Sequence, residues 1–194
     1  MKRIICVGLL LLVIGFFAFG KAPLLPASKQ LKEAYSAWEK QPKSVIQQQA
    51  LIRAFPTTKK GFLAVFYPDD FGQLYDGHEY FVALDKISYS LPAQVIQLCV
   101  KLSKTHPQGS DAISYLHEST VKVALAHTQL FANELAKLNT LERVKLFRFL
   151  ADVEGIRHYP AYDSLTHLMS QSGYAAYAAE LQQAKSWRLR QPIH

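Results

Sequence analysis

Asp76, His78 and Glu79 fall within four positions of the 194-residue chain, in the stretch LYDGHEYF that runs from Leu74 to Phe81. An imidazole flanked by two carboxylates has the parts for general acid–base chemistry. Such a cluster suggests either catalysis or a bound metal. His117 from a neighbouring helix is a candidate second imidazole for such an envelope hydrolase. The same letters also spell the first turn of a helix. With Asp76 at the N-cap, Glu79 falls at N3, and the pair can cap each other's backbone N–H groups in a capping box. Tyr75 and Tyr80 then occupy the two positions of a hydrophobic staple, and both acids meet the positive end of the helix dipole. Only His78 is left without a structural task.

Other chemistry-bearing residues are more scattered. Asp163 and His167, four apart, can pair on one helix face as a carboxylate pairs with a catalytic imidazole, or simply as solvated neighbours. Ser114, Ser119 and Ser164 lack the strand–turn–helix setting of a nucleophile elbow. His117 borders an apolar helix face and reads as a hydrogen-bonded core residue. Cys99 lies in VIQLCVKL and reads as a small buried hydrophobe. The chain has no HExxH, no paired CxxC and no glycine-rich phosphate loop, so the sequence implies neither a metal site nor a cofactor. Ten tyrosines and eleven phenylalanines accompany two tryptophans. Tyr159, Tyr162, Tyr174 and Tyr177 crowd the carboxyl-terminal helices, where they fill gaps between short helices or form a recognition surface.

The elements that must position these residues are helical. Leu31, Tyr35 and Trp38 recur at helical spacing behind Ser28, a candidate cap. Pro42, Pro56 and Pro68 close three successive segments, and Pro92 fits the first turn of another. HPQGSD at 106–111 is a loop signal. Ile113, Leu116, Thr120 and Val123 line one face of a later helix. Asn139 and Glu142 are spaced as a capping box. The helix they open carries a broad apolar arc of Leu146, Phe149, Leu150 and Val153, which suggests packing on more than one side. Gly155 and Gly173 suit the left-handed residue after a helix end, and Pro160 and Tyr174 open the last two helices. No alternating run of strand length appears. The expectation is an all-α domain of nine to ten short helices with short connections, arranged as an irregular stack of antiparallel helical hairpins (α-α superhelix-like) or an orthogonal bundle.

The amino terminus indicates destination. Met1-Lys2-Arg3 precedes sixteen uncharged residues, 4–19, with small residues Ala18 and Gly20 near the end. This is the make-up of a secretory signal, and the run is somewhat short for a span of about 20 apolar residues. Residues 1–20 are therefore expected to be a signal peptide, or an uncleaved anchor that tethers the protein to the inner membrane through residues 4–19. Residues 21–194 form one exported, periplasmic helical domain. Its Cys99 has no second cysteine to pair with, so a hydrophobic core must hold the fold. The formal charge of +7 falls to +5 when Lys2 and Arg3 leave. That excess is spread thinly, apart from KSWRLR at 185–190, which argues against nucleic acid as a partner.

FPTTKKGFLAVFYPDD, followed by LYDGHEYF, resembles the helical region of uncharacterised exported bacterial proteins in which a Phe-Pro turn, a Phe-rich helix and a short Tyr-containing turn recur. The resemblance covers residues 55 to about 87. It implies an all-helical exported domain and carries no activity and no site residues. The expectation for function is an exported protein-binding or adaptor domain of the bacterial envelope, or an immunity-type inhibitor, whose partner is another protein or an envelope component. The alternative is the hydrolase built on Asp76, His78 and Glu79.

Overall fold

The computed structural model describes residues 26–67, 74, 77–105, 111–153 and 155–191. The signal or anchor expected at residues 1–20 lies outside them, as do Tyr75, Asp76 and all but the last residue of the 106–111 loop. No described helix is long and apolar enough to cross a membrane.

The described residues are all-α, with ten α-helices and no strand. In order they are α1 (Pro26–Lys40), α2 (Val45–Ala54), α3 (Lys59–Phe66), α4 (His78–Ile87), α5 (Pro92–Ser103), α6 (Ala112–Ala126), α7 (Thr128–Leu135), α8 (Thr140–Ala151), α9 (Pro160–Gln171) and α10 (Ala175–Leu189). A single 3₁₀ turn, Ile156–His158, precedes α9.

Local chemistry explains most of the boundaries. Ser44 and Thr58 accept the backbone N–H groups of Gln47 and Gly61 at the starts of α2 and α3, as short hydroxyl side chains do at N-caps. Asn139 and Glu142 make both bonds of the expected capping box at α8. Gly155 and Gly173 take the left-handed backbone read from their positions, with φ of 73° and 87°. Ser28 is not a cap. Pro26 already occupies the first turn of α1, where its missing N–H costs nothing, and Ser28 lies two residues further in, fully buried within the helix.

α5 and α6 lie at the middle of the packing. α6 contacts α4, α5, α7, α8 and α9, and α5 contacts α2, α4, α6, α7 and α8. Small side chains line the α5–α6 seam: Cys99 and Ser103 on one helix, Ser119 and Thr120 on the other, all buried. Ser103 Oγ and Thr120 Oγ1 approach to 3.2 Å, a buried hydrogen bond that satisfies both hydroxyls. α8 packs on α5, α6 and α10, as its broad apolar arc requires, and Leu146, Phe147, Phe149 and Leu150 are buried.

The first three helices join this centre differently. α2 touches α5, and aromatic side chains of this layer pack against Tyr80 and Phe81 of α4. Tyr35 meets Tyr80 edge-on at 4.9 Å, Phe55 meets Phe81 at 5.7 Å, and Phe66 lies 6.3 Å from Tyr80 and 5.9 Å from Phe81. Such offset and tilted pairs add to the area they bury.

Candidate functional site

The helix that carries His78 starts one residue later than its capping pattern predicts. Gly77, not Asp76, is the N-cap, and it sits in the left-handed region with φ of 61°. A Cβ built there would lie 2.8 Å from Phe66 Cε1. The backbone therefore enters α4 pressed against an aromatic ring, which only glycine permits. This contact moves the register by one. Glu79 becomes N2 rather than N3, and the Gly77 carbonyl accepts from the Tyr80 and Phe81 N–H groups. Glu79 remains exposed in the first turn, where the helix dipole favours a carboxylate.

His78 lies against α6, with its ring 4.8 Å from that of Tyr115. His117 does not join it. Two positions on a helix are about 200° apart, and the His117 ring instead packs 4.0 Å from Phe149 of α8, buried in the core. Asp85, two turns further along α4, is engaged by α6. Its carboxylate accepts from Ser119 Oγ at 2.5 Å and from Lys122 Nζ at 2.8 Å. Asp85 holds the Lys122 ammonium above its ordinary pKa.

The other candidates also have structural partners. Asp163 takes Lys185 of α10 at 2.5 Å, while His167 is exposed. Cys99 is buried, and burial raises its thiol to about 12, which keeps it protonated and unreactive. Tyr162 is a core residue whose hydroxyl donates to the Leu181 carbonyl at 2.9 Å. Tyr159, Tyr174 and Tyr177 are partly buried against the core, and the Arg143 guanidinium lies over Tyr177. Among the described residues no three His, Cys, Asp or Glu side chains converge as a metal site would require.

A different place gathers features that the fold leaves unused. A cleft of about 410 Å³ opens between α1, the α1–α2 turn and the end of α4. Tyr35, Trp38, Pro42 and Ile87 form its apolar walls, with Glu39, Gln48 and Lys86 as its polar lining. Gln48 builds it. Its amide donates to the Pro42 carbonyl at 2.8 Å and accepts from Ser90 Oγ at 2.8 Å, joining the α1–α2 turn to the α4–α5 turn. The hydroxyl of Tyr35 is held up to about 12, first by burial and then by Glu39. At the start of α2 Ile46 is 72% exposed, and in the α4–α5 turn Tyr89 is 77% exposed.

The sequence did not single out this place. Gln48 sits among three glutamines with nothing to mark it from its neighbours. The one available signal was Val45-Ile46, two branched apolar residues opening a helix whose buried face is Gln48, Leu51 and Ala54. Comparison with protein-family models, with curated proteins and with solved structures returns no match.

Proposed function

We propose that the protein is an exported, protein-binding helical domain of the bacterial envelope, acting as an adaptor or an immunity-type inhibitor. The observation that carries this reading is the pair Ile46 and Tyr89, large apolar side chains left in water on residues flanking the Gln48–Ser90 hydrogen bond. Single exposed apolar residues are ordinary. Here Ile46 opens the helix that carries Gln48 and Tyr89 precedes the Ser90 that Gln48 bonds, and exposed apolar residues rimmed by polar ones are the make-up of a protein interface. Tyrosine is among the side chains enriched at such interfaces.

The test uses the exported chain carrying Ile46→Ser and Tyr89→Ser, each a surface change that leaves the core intact. Affinity capture from envelope extract, with mass spectrometry, should recover a partner with the parent and lose it with the double variant. Leu141→Ser, exposed on α8, should capture normally. Equal capture by all three chains would sink the proposal.

A further inference from the structure

α8 and α10 pack against each other, and the charges along them do not balance. Glu142 is paired with Lys104, Asp152 with Arg188 and Glu180 with Arg143. These are all the carboxylates that α8, its C-cap and α10 carry. Asp163 of the neighbouring α9 takes Lys185. Lys145 and Arg148 of α8 and Arg190 at the end of α10 are exposed, and none of the three has a carboxylate partner among the described residues. Every described acid on this face is taken, so the face presents uncompensated positive charge.

Two of these cations share a groove. Arg148 and Arg190 line a depression of about 130 Å³ between α8 and α10, together with Gln183, Trp187 and the already paired Glu180. The Arg148 guanidinium lies 4.8 Å from the centre of the Trp187 ring. A guanidinium held over a ring loses less freedom when its N–H fork takes an oxyanion. Lys145 precedes Arg148 by about one turn, and Leu141, 64% exposed, precedes Lys145 by another. Residues three and four apart are neighbours on a helix, so Leu141, Lys145 and Arg148 form one exposed stripe beside the groove.

The groove is smaller than the sites of about 300–1,000 Å³ that enclose a free ligand. It admits the end group of something larger, and the cations around it call for an oxyanion. An anionic bilayer uses every part of the face. Lipid phosphates meet the three cations, the Trp187 ring reaches the headgroup level where indoles collect, and Leu141 reaches the acyl boundary. The uncharged run at 4–19, read above as an export signal or an anchor, brings the domain to a bilayer in either case.

We propose that the α8–α10 face docks on an anionic phospholipid surface, with Arg148 and Arg190 holding a lipid phosphate at the groove and Lys145 and Leu141 laid against the bilayer beside it. This contact uses none of the residues of the Ile46 and Tyr89 surface and does not rest on the protein-binding role.

The test mixes the exported chain with vesicles of equal parts phosphatidylglycerol and phosphatidylcholine, or of phosphatidylcholine alone, and reads the bound fraction by sedimentation. The chain should sediment with the anionic vesicles only, and less so as salt is raised. One cation near a charged bilayer is worth about fivefold in affinity. Lys145→Gln should therefore weaken binding about fivefold, and Arg148→Gln with Arg190→Gln about thirtyfold. Circular dichroism checks that each variant is folded, and Lys145→Gln decides alone if the double variant is not. Ile46→Ser with Tyr89→Ser should bind vesicles as the parent does. Equal binding to both kinds of vesicle, unweakened binding by folded Lys145→Gln, or loss of binding with Ile46→Ser and Tyr89→Ser would overturn the proposal. So would binding of a hexaglutamate peptide by a parent that ignores the anionic vesicles, which would assign the face to an acidic protein segment instead.

Discussion

At the scale of single residues, Gly77 is the most constrained position near the acid–histidine cluster. Replacing it with alanine forces a side chain into the left-handed region, which costs about 1 to 3 kcal/mol. The new Cβ also meets the Phe66 ring at 2.8 Å. Gly77→Ala should therefore lower the urea midpoint clearly, and an unchanged midpoint would refute the packing described for α4. Cys99 makes a second prediction. Its thiol is raised from an ordinary value of 9.0 to about 12, so the folded state binds that proton more tightly than the unfolded chain. Below pH 9 both states keep the proton and the contribution is whole. Between pH 9 and 12 only the unfolded chain releases it, and stability falls. Melting temperatures measured across this range should decline, and Cys99→Ala should decline less steeply. The cluster also shows why its register was misread. Spacing alone made Asp76 a good cap, but the approach of Phe66, eleven residues earlier, decides which residue bends. A contact of that kind leaves no local trace.

At the scale of elements, helices with self-contained signals were legible from their own letters. The Asn139–Glu142 box, the prolines opening α5 and α9, and the glycines after α8 and α9 all act within a turn of themselves. Asn139→Ala should cost about 1 kcal/mol in chemical denaturation, because it leaves the Glu142 N–H without its side-chain acceptor. A loss below measurement error would show that α8 is held by packing alone. The cleft was not legible for the opposite reason. It needs Gln48 to reach Ser90, forty-two positions away, and a glutamine that clamps two turns has the same letter as one that faces water. The tyrosines divided along the same line: Tyr162 became a core post bonded to Leu181, and nothing local separated it from the more exposed Tyr159.

For the whole molecule, the all-α class followed from the absence of alternation and the frequency of helix stops. The arrangement did not, because it depends on which apolar faces meet. In the structure α5 and α6 approach closely through small polar side chains, whereas α1–α3 reach the centre largely through long aromatic ones. Regions with fewer close contacts open at lower free energy. Hydrogen exchange followed by mass spectrometry should find amides of α1–α3 exchanging before those of α5 and α6. Equal protection of α1 and α6 would contradict this division. Opening of that layer would also reshape the Trp38 cleft, since α1 and α2 furnish most of its lining.

The two indoles offer a way to watch these events separately. Trp38 has the Tyr35 ring 5.7 Å away, and Tyr35 in turn borders Tyr80. Tyrosine emission overlaps tryptophan absorption, so light absorbed by these rings passes to Trp38. Trp187 instead lies beneath the Arg148 guanidinium, 4.8 Å from its ring centre, on α10. One optical reporter is thus wired into a relay of rings at the amino-terminal end and the other is capped by a cation at the carboxyl-terminal end. Loosening of α1 would carry Tyr35 and Trp38 together away from Tyr80, changing the surroundings and emission of Trp38 while the Trp187 emission held steady.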